Sequence, residues 1–392
     1  MLKAVSRASG NLPARAVFAF NTNIDAVARI IGKQIAGVRL PRKLRALLQC
    51  MLDGSQREVA IGLDELVFLL RNFKPFDFRA GGQAGNMARA AARLGVSSLL
   101  HSASKAAQQM ALLNERDILI ATRTGFSNPM RAVSKDIPLV HVVLEFEKGD
   151  GLRNKKIPRS NRFIASFDPY NADMLIDENF KKNMQKEIAR IDKAFVSGFH
   201  LLACDDFENK INDVCEMARA WKKTNKNLQI HSELGDFQKK GVARAFVEKF
   251  LPLCDCIGMD EREFGQVCGA LGIRQRNPEQ AVLAILQKTK IKTVVLHAPE
   301  FAFAASKKYR AGELSDSLIF ASALAALKAK TGKMPDLQDI TSFAASWKKM
   351  KIKELTSKTA SCARVPSFFI KNPKSTVALG DCFAAGFFLT LK

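Results

Sequence analysis

Ser375-Thr376-Val377-Ala378-Leu379-Gly380-Asp381-Cys382-Phe383-Ala384-Ala385-Gly386 places a carboxylate just after a glycine turn, where an apolar helix of small residues begins. The first N–H groups of a helix have no intrahelical partner and carry the positive end of its dipole. The amides from Ala378 to Asp381 can therefore hold the charge of a transferring phosphoryl group. Asp381 would then sit where a substrate hydroxyl must lose its proton. The same residues also suit a plain N-cap on a buried helix, because Asp is a favoured cap and Cys382 to Phe388 is almost wholly apolar.

Upstream of this stretch, strand-like and helix-like segments alternate. Strands are predicted at 194–198, 228–232, 257–259, 293–297 and 301–305. Between or after them, helical spacing covers the segment from 173 to about 191, then 207–222, 241–250, 278–289, 318–330 and 339–350. Parallel neighbours need crossover connections, so this order predicts an α/β fold with a mostly parallel sheet between helical layers. In the first half, Ala16 to Phe20 reads as a strand and the polar Asn21-Thr22-Asn23-Ile24-Asp25 follows it, as an Asx turn, a helix cap or a ligand contact. Helical spacing is expected at 39–51, 63–72 and 87–94, the last closed by Gly95, and a strand at 96–102. Segments 139–146 and 162–167 read as a hairpin whose mouth is cationic, with Lys148, Arg153, Lys155, Lys156 and Arg159.

The chain has 392 residues, 47% of them hydrophobic, enough for a large domain plus a smaller one. No apolar run is long enough to span a bilayer and the first residues lack a signal-peptide core, so the expected location is the cytoplasm. Eight scattered cysteines without a C-x-x-C pair read as reduced thiols rather than zinc ligands. The net charge of +23 suits anionic partners, but basic pairs such as Lys348-Lys349 read as solvated faces. With 8% aromatics and no interleaving of basic and aromatic residues, a nucleic-acid stacking surface is not expected.

Three polar groups follow predicted strands and should meet at one rim of the sheet: His231-Ser232-Glu233, Asp260-Glu261-Arg262-Glu263 and Gly380-Asp381. Glu233, Asp260 and Glu263 can supply the few carboxylates that Mg²⁺ needs beside waters and phosphates, although Glu263 can equally face solvent and His231 can be a core histidine. Gly81-Gly82-Gln83-Ala84-Gly85-Asn86 offers uncovered amides, with Gln83 and Asn86 able to bond hydroxyls; helix packing would also use such glycines. Together with Asn23 and Asp25, these residues suit a polyol such as a sugar.

Phe20 to Ala26, Gly81 to Asn86, Pro158-Arg159-Ser160-Asn161-Arg162-Phe163-Ile164, His231-Ser232-Glu233 and Thr376-Val377-Ala378-Leu379-Gly380-Asp381 together resemble the archaeal ADP-dependent glucokinase and phosphofructokinase family of the ribokinase-like superfamily. The resemblance implies a ribokinase-like three-layer αβα sandwich, from 1–22, 78–139 and 172–392, with a smaller α+β lid from 23–77 and 140–171. It implies a cytoplasmic monomer or small homo-oligomer that uses ADP and Mg²⁺ to phosphorylate a sugar or sugar phosphate. Asp381 matches the catalytic base, Gly380, Ala378 and Leu379 the anion hole, and Arg162 the lid arginine that reaches the donor. Asn23, Asp25, Glu58, Gly82 and Gln83 match sugar contacts, Glu233, Glu263 and Asp260 the metal shell, and His297, at a strand end, a nucleotide contact. Lys148, with its basic neighbours, would pair a substrate phosphate, which favours fructose 6-phosphate, whereas Glu58 favours glucose.

Two departures from the family pattern stand out. Ala378 replaces a glycine and would distort the anion hole if its φ were positive, and Asp260 replaces an asparagine near the metal. An ATP-dependent sugar kinase, or a non-catalytic relative with a regulatory or nucleic-acid-binding role, remains open at this point.

Overall fold

Ala16 and Phe18 pack into one apolar layer and Val17 and Ala19 into another, so the strand Arg15–Ala19 is buried on both faces. That is the environment of a central parallel strand. The computed structural model describes residues 1–392 apart from 153, 276, 348–351, 357 and 358. Arg153, Lys348, Lys349 and the expected helix end at Met350 lie outside the described residues.

Parallel strands run in the spatial order Ile118–Thr122, Ser97–Leu100, Arg15–Ala19, Lys193–Val196, Gln229–Glu233, Cys256–Met259, Thr293–His297. Antiparallel strands extend both edges: Gly125–Ser127 on one side and Phe301–Ser306, Ser361–Pro366 and Lys353–Thr356 on the other, making an 11-stranded sheet. Helices Leu2–Ser9, Gln83–Arg93, Ala311–Thr331, Leu337–Ser346 and Leu379–Thr390 cover one face. Glu178–Glu187, Phe207–Thr224, Lys240–Ala245, Glu261–Ala270 and Pro278–Lys288 cover the other. This is the expected three-layer arrangement.

A second sheet of 5 strands stands apart, in the order Arg57–Ala60, Asn161–Phe167, Val140–Phe146, Asn23–Arg29, Asp77–Gly81. It takes in residues up to Gly81, beyond the expected lid limit at 77. Asn23–Arg29 is a strand and not an Asx turn or helix cap. Its alternation sends Ile24, Ala26 and Ala28 into the small core, with Leu144, Phe146 and Phe163. The opposite face then carries Asn23, Asp25, His141, Ser166, Glu58 and Arg162, since Asp25 pairs with His141, His141 with Ser166, and Glu58 with Ile164. One polar face of the small sheet thus gathers residues from four separate stretches of chain. Among the described residues no helix is long and apolar enough to cross a membrane.

Candidate active site

The rim formed by the carboxyl ends of the parallel strands brings Glu233, Asp260 and His297 together with the start of the helix Leu379–Thr390. Asp381 lies in the first turn and the N-cap position belongs to Ala378, so the carboxylate is not a cap. Its Oδ2 accepts a hydrogen bond of 2.9 Å from Asn86 Nδ2. Burial pushes the Asp381 carboxyl up to about 7; the charges of Glu233 and Asp25 add to this, against the Asn86 bond and His297. A carboxylate in that range can take a proton from a hydroxyl near neutral pH.

Ala378 has φ 62° and ψ 21°, the left-handed conformation, which costs an L-residue with a Cβ about 1–2 kcal/mol. The amides of Leu379, Gly380 and Asp381 are nevertheless left without intrahelical acceptors, as an anion hole needs. Ala378→Gly removes the strain at the expense of a more flexible unfolded chain. Its expected effect is a gain of about 1 kcal/mol in denaturant unfolding; an unchanged or lower midpoint would show that the left-handed turn is unstrained.

Glu233 is 4% exposed and sits between two imidazoles. His297 Nε2 lies 2.7 Å from its Oε1 and His231 Nε2 lies 3.1 Å from its Oε2. Burial works against the carboxylate, yet the two histidines outweigh it and hold Glu233 below the usual range. His297 rises in turn, burial being overcome by Glu233 and by the charges of Asp260 and Asp381. Gly258 on the next strand makes room for this carboxylate: a Cβ there would fall 2.0 Å from Glu233 Oε2.

Asp260 and Glu263 form a capping box. Asp260 Oδ1 accepts from the amides of Arg262 and Glu263, and Glu263 Oε2 accepts from the amide of Asp260. Glu263 is therefore not a free surface carboxylate; burial and the charges of Asp260 and Glu233 hold it well above the usual range. Among the described residues no group of three or more metal-ligating side chains is gathered for direct coordination. A divalent cation here would keep much of its water shell, as Mg²⁺ does, and the excess of carboxylates fits it.

The small sheet contributes the other wall. Asn23 Nδ2 donates to Asp25 Oδ1 at 2.7 Å, while Asn23 Oδ1 is buried without a partner among the described residues. Gly81 and Gly82 permit the close approach: Cβ atoms there would meet Asp25 Oδ1 at 2.2 Å and the Asn21 carbonyl at 2.4 Å, and Gly82 has φ 80°. Gln83 donates to the Leu234 carbonyl and accepts from the Gly198 amide at 3.3 Å, tying the glycine loop to the large sheet. Glu58 accepts from Ser166 Oγ at 2.5 Å.

Sequence reasoning missed His141. Its Nε2 is 2.9 Å from Asp168 Oδ2 and its Nδ1 3.9 Å from Glu58 Oε1. Burial opposes its charge, but Asp168, Glu58 and Asp25 raise it to about 9, which makes it an imidazolium among carboxylates. A histidine inside an otherwise apolar strand was the available signal. Arg162 Nη1 donates to the Thr376 carbonyl at 3.4 Å, and its buried Nε has no partner among the described residues, so the guanidinium faces the anion-hole loop with donors to spare. Lys148, Lys155 and Lys156 are exposed and unpaired by any carboxylate among the described residues; no contact joins them to the Asp25 cluster.

Residues 14–390 match the model of the ADP-specific phosphofructokinase/glucokinase conserved region. An ADP-dependent glucose/glucosamine kinase of Pyrococcus furiosus is 23% identical, with 99% of this chain and 95% of that protein covered. An ADP-specific phosphofructokinase of the same organism is 25% identical, with 95% of each covered. Among solved structures, an ADP-dependent kinase complex with fructose-6-phosphate and ADPβS superposes with a TM-score of 0.86 at 21% identity, covering 99% of this chain and 96% of that one.

Proposed function

Since the chain belongs to the ADP-specific phosphofructokinase/glucokinase family, we propose that it transfers the β-phosphoryl group of ADP to a hydroxyl of a hexose or hexose phosphate, leaving AMP. The observation that carries this reading is the Asp381 carboxyl, raised to about 7, at the start of a helix and coupled in charge to Asp25 on the sugar-facing sheet. The acceptor oxygen gives its proton to Asp381 and forms the bond to the β-phosphorus; the bond from that phosphorus to the bridging oxygen breaks. The free amides of Leu379 and Gly380 would meet the charge on the moving group, and Arg162 would reach it from the lid.

Glu233, Asp260 and Glu263 would hold Mg²⁺, which when bound would supply positive charge against the donor phosphates. Asp25, Asn23, Glu58 and His141 would orient the sugar, with Gly82 and Gln83 closing the pocket beneath it. His297 would keep Glu233 ionised beside the donor. The eight unpaired cysteines fit a cytoplasmic setting.

For the acceptor, the exposed Lys148, Lys155 and Lys156, unpaired by any carboxylate among the described residues, support fructose 6-phosphate through the positive charge they would offer its dianion. Glucose is the second reading, supported by Glu58, which Ser166 holds inside the polar pocket. The expected result of a panel crossing ADP and ATP with both acceptors is a saturable rate with ADP and fructose 6-phosphate. Turnover only with glucose moves the acceptor; turnover only with ATP, or none with ADP, defeats the proposal.

A further inference from the structure

The amino ends of the parallel strands, on the rim opposite Asp381, enclose a surface cavity of about 630 Å³, within the roughly 300–1,000 Å³ typical of small-molecule sites. Its lining has Lys193, Lys226, Lys292, Lys308 and Lys392 but only two carboxylates, Asp192 and Asp255. Asp255 is already matched: Lys222 Nζ and Lys292 Nζ donate to it at 2.6 and 2.7 Å, and the Ile230 amide at 3.0 Å. Lys193, Lys226 and Lys392 have no side-chain carboxylate partner among the described residues, and Lys308 Nζ donates only to uncharged or main-chain groups there, the Tyr309 hydroxyl at 3.1 Å and the Lys392 main-chain oxygen at 3.4 Å.

Lys193 forms part of the floor and is 4% exposed. It donates to Gln229 Oε1 and to the Leu391 carbonyl, both at 2.9 Å, with its ammonium 4.7 Å from the centre of the Phe388 ring, so two of its three N–H donors are committed to hydrogen bonds. Ammonium groups crowd together here at a free-energy cost. Burial and the charge of Lys308 bring Lys193 down to about 7, and burial and Lys292 lower Lys308. A bound dianion would reverse both effects. Nothing in phosphoryl transfer at Asp381 uses this rim.

We propose that this cavity binds a phosphate dianion, free or as a phosphomonoester, at a site separate from the centre of transfer. Its recognition is by converging lysines, with Lys193 as the buried donor and Lys226 and Lys308 as exposed arms. It gives part of the +23 net charge a specific use.

The test follows the thermal midpoint as inorganic phosphate is titrated at constant ionic strength, with native and variant protein side by side so that phosphate bound at the Asp381 centre, common to both, cancels. The expected result is a saturable rise for the native protein. In the Lys226→Gln/Lys308→Gln variant the concentration giving half the rise should increase at least tenfold, with kcat/KM unchanged. Both side chains are exposed, so the variant should fold. A parallel titration with a sugar phosphomonoester identifies the source from the part of the response that the variant loses: a tighter lost response to the ester names a metabolite, a tighter lost response to phosphate names the free ion, and both support the site. Equal responses of native and variant protein, or no response at all, would overturn it.

Discussion

Asp381→Asn should lower kcat by about 10²–10⁴-fold, the contribution of a positioned general base, while binding of the sugar changes little. Asn is nearly isosteric, and its carbonyl oxygen can still accept the bond from Asn86 Nδ2. Stability should move the other way. Folding raises the Asp381 carboxyl from its unfolded value of 3.8 to about 7, so the native state binds the proton more tightly and the fold loses stability as pH climbs between those values. Above pH 7 the asparagine variant should therefore melt higher than the native protein. The rate of the native enzyme should rise through about pH 7 as the base loses its proton. A variant that retains full kcat, or a native pH profile that is flat from 6 to 8, would remove Asp381 from the base role.

Arg162→Met should cost about 10²–10³-fold in kcat, as loss of one preorganised charge-stabilising group does, with a smaller change in the KM for the sugar. The guanidinium reaches from the strand Asn161–Phe167 to the Thr376 carbonyl and keeps a buried Nε unpaired among the described residues. Thr376 also donates to Glu145 Oε1 at 3.4 Å, so two long bonds link the small sheet to the anion-hole loop. Arg162→Lys should recover little, because a point ammonium cannot reproduce the planar fork. Arg162 also opposes the upward push on Asp25, so its loss should raise that carboxyl further. Equal kcat in the native, Met and Lys forms would show that the arginine only ties the lid to the loop.

The α/β alternation from residue 193 onward was legible because strands such as Cys256–Met259 and Thr293–His297 are largely apolar and the long helices keep their period, and the helix at 63–72 matches its expected span. Asn23–Arg29 was misread because Val27 interrupts the alternation of Ile24, Ala26 and Ala28 with polar residues. The polar half of that pattern serves the site, and polar residues in a short run also describe a turn. Lys353–Thr356, at the sheet edge, and its neighbour Ser361–Pro366 went unseen because they carry charge and proline, which weaken a strand signal. The role of His141 depends on its register opposite Asp25, more than a hundred residues earlier in the chain. Pairing at that distance leaves no trace in a single sequence. The sign of φ at Ala378 was likewise hidden, since alanine ordinarily avoids the conformation that the turn imposes.

The helix Leu379–Thr390 does two jobs at once: Phe383, Phe387 and Phe388 complete the core on one face of the large sheet, and the same helix holds Asp381. During synthesis the nascent chain therefore emerges with nearly all its strands before it has either a sealed layer or a proton acceptor. A chain without that helix would leave one face of the large sheet uncovered and would lack the carboxylate proposed as the base.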